Sequence, residues 1–112
     1  MICIGVDDMK NSTQYKILSV IKFTMKSNQL FHQTLDFVKK QNYVQAQQCL
    51  NQANELLLEA SVIHTELLSE SKEVDLLLIH AEDLLMSVQL YKSLMKEIVD
   101  LYKIFPSLKG NQ

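Results

Sequence analysis

The chain has 112 residues, 47% of them hydrophobic, with two glycines, one proline and a formal net charge of −2. That length suits one domain, 1–112, and so few turn-formers over such long stretches describe helices, because a sheet of this size needs frequent turns. Lysines are scattered, arginine is absent and no basic aromatic-rich motif occurs, which argues against a nucleic-acid partner.

The run Met1 to Val6 is apolar but too short for a secretory core, and Asp7-Asp8 follows it directly. Residues 1–11 therefore read as a disordered or poorly packed leader. The first helix is expected from about Ser12 to Lys40. Asn11, Ser12 and Thr13 are its candidate N-caps, since their side-chain oxygens accept from orphan backbone N–H groups. Ile17, Ile21, Met25, Phe31, Leu35 and Val38 mark its apolar stripe, which weakens at Ser27-Asn28-Gln29, the place for a bend or break. Lys39-Lys40 suits the negative end of the helix dipole. Gln41-Asn42-Tyr43 reads as a tight turn with Asn42 in the left-handed conformation.

A second helix is expected from about Tyr43 to Glu70. Its heptad seam is Ala46, Cys49, Ala53, Leu56, Ala60, Ile63 and Leu67, with small alanines that permit close helix approach. Cys3 and Cys49 are the only cysteines, too few for a disulfide framework or a four-thiolate zinc site, and Cys49 reads as a buried free thiol. No apolar run reaches the ~18–20 residues of a membrane span, and a reducing cytoplasm is the expected compartment. Ser69 to Glu73 should reverse the chain into an antiparallel neighbour.

The third helix is expected from about Glu73 to Phe105, stopped by Pro106. Leu77, Ala81, Leu84, Val88, Tyr91, Met95, Ile98, Tyr102 and Phe105 alternate four and three throughout. A second stripe runs beside them: Leu76, His80, Asp83, Ser87, Leu90 and Leu94. Two adjacent stripes are more than a three-helix hairpin needs, so this helix should also meet other copies of the chain.

His80, Asp83 and Ser87 interrupt that second stripe with polar groups on one helix face. Three readings fit the spacing: a polar layer that fixes register and oligomer state, a zinc site completed by His64, or a histidine that transiently carries a phosphoryl group. If the reversal centres near Ser71, His80 lies level with Val62 to His64, which makes His64, Thr65 and Ser61 its expected neighbours. His32 reads as a surface residue. No Glu-x-x-His pair, glycine-rich phosphate loop, Gly-x-Ser-x-Gly elbow or zinc-protease motif occurs.

The segment Val74-Asp75-Leu76-Leu77-Leu78-Ile79-His80-Ala81-Glu82-Asp83-Leu84-Leu85-Met86-Ser87 resembles the signature of the lactose/cellobiose-type enzyme IIA of the sugar phosphotransferase system, a His-Ala-Gln-Asp-His-Leu-Met-Thr-like run on that family's last helix. Glu59-Ala60-Ser61-Val62-Ile63-His64-Thr65-Glu66-Leu67-Leu68 is similar to its Glu-Ala-His-x-x-Gln-Thr-x-Leu segment, and Ile98-Val99-Asp100-Leu101-Tyr102-Lys103 to its closing Ile-Ile-Glu-Leu-Tyr-Lys. Register is kept from roughly Ser19 to Phe105. The departures are Glu82 and His64 for glutamines, and Leu84 and Ser61 for histidines.

The resemblance implies an all-α antiparallel up-down three-helix bundle, assembling as a coiled-coil-like homotrimer. It implies a phosphocarrier in which His80 receives a phosphoryl group from phospho-HPr and passes it to a cysteine of the IIB component, with IIC in the membrane, for uptake of a lactose-, cellobiose- or β-glucoside-type sugar. Asp83 matches an aspartate at the trimer axis, where three carboxylates gather around a divalent cation read as magnesium; no organic cofactor is implied. Glu82, His64 and Ser87 would support the site. The rival expectation is a divergent helical scaffold or regulatory paralogue that has lost phosphotransfer.

Overall fold

The computed structural model describes residues 12–70 and 76–104, which form three long helices: α1 (Thr13–Lys39), α2 (Tyr43–Glu70) and α3 (Leu76–Ile104). The leader 1–11 with Cys3 and Asn11, the segment 71–75 and the end at Phe105 and Pro106 lie outside the described residues. At 1.5 Å per residue each helix is about 40–44 Å long. The order is up-down-up. Lys16 near the start of α1 meets Glu70 at the end of α2 at 2.6 Å, and the Tyr43 hydroxyl donates to the Tyr102 carbonyl at 3.3 Å. The hydrogen bond to Glu70 holds the Lys16 ammonium above its ordinary pKa, and Glu66 at 3.8 Å adds to the effect.

Ser12 caps α1 from an extended conformation, its hydroxyl accepting from the Tyr15 N–H at 3.0 Å. The helix then runs unbroken through Ser27-Asn28-Gln29, where the sequence suggested a bend. No proline or glycine is present to interrupt it, and the buried row explains the apparent weakness. That row is Ile17, Val20, Thr24, Ser27, Phe31, Thr34 and Val38, a strict three-four alternation in which three positions carry small hydroxyls. Met25, expected in the stripe, is 55% exposed, and Ile21 and Leu35 only flank the core. Two of the hydroxyls are satisfied: Ser27 donates to the Ala53 carbonyl and Thr34 to the Leu30 carbonyl, each at 2.8 Å.

The α1–α2 connection is a Schellman closure. The Gln41 N–H reaches the Val38 carbonyl at 2.9 Å and the Asn42 N–H reaches Phe37 at 2.8 Å. The left-handed residue is Gln41, at φ 61°, and not Asn42. Asn42 is taken for another purpose: its side chain accepts from the Gln45 N–H at 3.2 Å and its carbonyl takes the first bond of α2. One residue cannot be both the left-handed end of one helix and the extended cap of the next.

On α2 the buried residues are Ala46, Cys49, Ala53, Leu57, Ala60 and Leu67, close to the expected seam, with Leu56 and Ile63 at its edge and Cys49 a free, buried thiol. The alanines let α1 and α2 approach more closely than the other pairs, and α2 and α3 approach least. On α3 the fully buried row is Leu78, Ala81, Leu85, Val88, Met95 and Val99. The expected seam shares Ala81, Val88 and Met95 with it; Leu77, Tyr91 and Tyr102 lie half-buried on its flank. α3 must face both other helices, so its core row lies between the two. Phe31, fully buried, packs on Tyr91 with ring centroids 5.6 Å apart and is worth about 1.5–3 kcal/mol of burial. No described helix is long and apolar enough to cross a membrane.

Candidate functional site

α3 positions the candidate residues. Leu78, Glu82 and Leu85 stand at i, i+4 and i+7, a single face, and Leu78 and Leu85 are buried there. His80, Asp83 and Ser87 lie on the outer face of the same helix, with Leu76, Leu90 and Leu94. This whole second stripe is exposed in the single chain: Leu76 at 81%, Leu90 at 64% and Leu94 at 54%. The sequence pattern predicts that other copies of the chain cover this stripe.

The three histidines have different surroundings. His64 on α2 places Nε2 2.8 Å from Glu82 Oε2, a part-buried contact. His32 on α1 lies with Nδ1 3.1 Å from the Tyr91 hydroxyl and its ring 5.2 Å from the Tyr91 ring. Burial, and secondarily the Asp36 carboxylate, hold that phenol above its ordinary pKa. His80 is exposed and has no hydrogen-bond, ion-pair or ring partner among the described residues. His32 was expected on the surface and is there; its engagement with Tyr91 was not foreseen, because it depends on α1 and α3 running side by side.

His64 does not meet His80. The pairs that meet across α2 and α3 are His64 with Glu82 and Ser61 with Gln89, a later register than one centred on Ser71. Ser61, also expected beside His80, accepts from the Gln89 amide at 2.8 Å, and Thr65 bonds back to the Ser61 carbonyl at 3.0 Å. Ser87 donates to the Asp83 carbonyl one turn earlier at 2.8 Å, which leaves its hydroxyl occupied within its own helix. His80, Asp83 and His64 do not converge into a zinc site; no group of three or more His, Cys, Asp or Glu able to hold a metal occurs among the described residues. Physically, Glu82 and His80 differ by two residues, about 200° around the helix, so α2 can reach the first only by leaving the second outside.

What the arrangement offers chemically is an open, unengaged imidazole on a rigid helix, one turn from an exposed carboxylate. There the imidazole is accessible to the surface of another macromolecule, as a group-carrying nucleophile must be.

Residues 16–103 match the family described as "PTS system, Lactose/Cellobiose specific IIA subunit". The chain is also similar to a protein of Staphylococcus epidermidis named "PTS system lactose-specific EIIA component", 36% identical over 76 residues, covering 63% of this chain and 73% of that protein. No solved structure matches it.

Proposed function

The chain belongs to the lactose/cellobiose-specific IIA family of the sugar phosphotransferase system and is a histidine phosphocarrier; from that premise we propose that His80 is the residue that carries the phosphoryl group. The observation that supports this most is the contrast among the histidines. His64 is tied to Glu82 and His32 to Tyr91, while His80 faces solvent with its ring unengaged. A neutral imidazole nitrogen there attacks the phosphorus of phospho-HPr; a new N–P bond forms as the donor's N–P bond breaks. The phosphoryl group then passes to a cysteine thiolate of the IIB component, forming an S–P bond and returning His80 to its neutral state. Such transfer rests on positioning and charge stabilisation, which an exposed rigid helix supplies once a partner encloses it.

The active species in this reading is a cytoplasmic homotrimer, with the exposed stripe of α3 covered by its copies. Leu76, Leu90 and Leu94 would be the apolar part of that interface. Asp83 supplies one exposed carboxylate on the same stripe. One carboxylate is too few to hold a divalent cation, but three around an axis form an all-oxygen donor set that suits a hard ion such as magnesium. The ion would neutralise the converging charges and fix the trimer. The sugar delivered by the IIB and IIC partners is of the lactose, cellobiose or β-glucoside type.

The test is intact-mass analysis of the protein incubated with phosphoenolpyruvate, enzyme I and HPr. One phosphoryl adduct is expected, and none on His80→Ala. An adduct that survives this substitution, or no adduct on the unaltered protein, overturns the assignment.

A further inference from the structure

We propose that His64 is a positioning residue for phosphoryl transfer, acting through Glu82 to hold the turn of α3 that carries His80. The inference rests on the reading of His80 given above.

Glu82 occupies an unusual place for a carboxylate. It lies on the row between buried Leu78 and Leu85 and reaches His64 of α2. Its side chain is 34% exposed and that of His64 only 19%. A partly desolvated carboxylate on an apolar row costs free energy unless a donor meets it. The His64 Nε2–H, 2.8 Å away, is that donor.

This contact matters because α2 and α3 are the least closely packed pair in the bundle. Toward the start of α3, Leu76 and Ile79 are exposed, and the described anchors on the core side are Leu78 and Ala81. Next along the helix come the His64–Glu82 contact and then the Gln89–Ser61 hydrogen bond. Rotation of α3 about its axis determines where His80 points. Glu82 lies two residues on, about 200° round, so fixing it against α2 fixes His80 outward. Without His64, the carboxylate seeks water, and turning it outward swings the same helical turn. The geometry of His80 toward an incoming donor is then lost, while the helices and the core remain.

The experiment measures phosphorylation kinetics with phospho-HPr as the probe, on the full chain, for His64→Ala, His64→Gln, Glu82→Gln, and His64→Ala combined with Glu82→Gln. His64→Ala is expected to lower kcat about tenfold, with KM for phospho-HPr changed less than about twofold, as befits misplacement of the acceptor. His64→Gln keeps an N–H donor and should restore most of the rate. Adding Glu82→Gln to His64→Ala removes the stranded charge and should also recover most of it. A His64→Ala protein with unaltered kcat overturns the proposal, and so does a defect that neither His64→Gln nor Glu82→Gln relieves. If His64→Ala fails to fold, the His64→Gln and Glu82→Gln pair decides alone: a loss in Glu82→Gln as large as in His80→Ala would contradict a positioning role. Phosphorylation of the unaltered protein with none on His80→Ala shows that the underlying reading stands while this one is judged. No phosphorylation of the unaltered protein overturns both.

Discussion

The Ser27 hydroxyl donates to the Ala53 carbonyl at 2.8 Å in the buried contact between α1 and α2. Ser27 and Ala53 are both small, and the two backbones come together there because neither side chain holds them apart. Ser27→Ala should cost about 1 kcal/mol, the net worth of one hydrogen bond. Ser27→Leu should cost more, about 1–3 kcal/mol, because a leucine must push the helices apart. Urea melts followed by circular dichroism measure both, and the order of the two values tests the close approach.

The same buried row makes a second prediction. The Thr24 hydroxyl is fully buried with no hydrogen-bond partner. Thr24→Val removes the orphan group at nearly constant shape, and it should raise stability by up to about 1 kcal/mol. Met25 is the control. It is half-exposed, so Met25→Gln should stay within about 0.5 kcal/mol of the parent protein. A core in which Met25 was buried and Thr24 exposed would give the reverse pattern.

Thr24 and Met25 show how unevenly a buried row is written in sequence. The seam of α2 is legible because Ala46, Cys49, Ala53, Ala60 and Leu67 are apolar and regularly spaced. The seam of α1 is equally regular, but Thr24, Ser27 and Thr34 hold three of its positions, so a search for hydrophobic side chains drifts onto Met25. Of these hydroxyls only Ser27 is met across the helix pair, by the Ala53 carbonyl; Thr34 bonds back to Leu30 within α1 and Thr24 has no partner. At the site, His80 and Asp83 were legible as residues sharing a face. Their neighbours were not, since the α2–α3 register is a property of the helix pairing, and it sets Glu82, two residues on from His80, opposite His64.

The Tyr91 phenol should titrate above its ordinary value of 10.0, with burial the main cause and Asp36 the lesser one. The fold favours the neutral phenol. The stability it contributes is therefore complete below the unfolded value and is lost as pH rises through the higher folded one. A spectrophotometric titration of the phenolate band should show one late tyrosine that Tyr91→Phe removes. Asp36→Asn should bring it part of the way back. Since Tyr91→Phe keeps the ring packed on Phe31 and His32 and loses only the hydrogen bond to His32 Nδ1, it should fold normally.

The exposed stripe of α3 gives the last prediction. Leu90 is 64% exposed and Leu94 54%, on the face that carries Asp83. Apolar side chains aligned with a carboxylate along one helix describe an interface with a polar layer, and the proposed trimer would bury both. Leu90→Lys places an uncompensated charge in that proposed interface, and should leave monomers in place of the proposed trimer, with unchanged helix content. Asp83→Ala acts differently: it removes mutual repulsion together with the oxygen ligands, so the protein should keep its helices and lose the divalent ion proposed at the trimer axis. Native mass spectrometry reads assembly and metal content together. If Leu90→Lys keeps the parent's mass, this face is not the interface. If the Asp83→Ala protein retains the parent's metal, the ion is held by other residues.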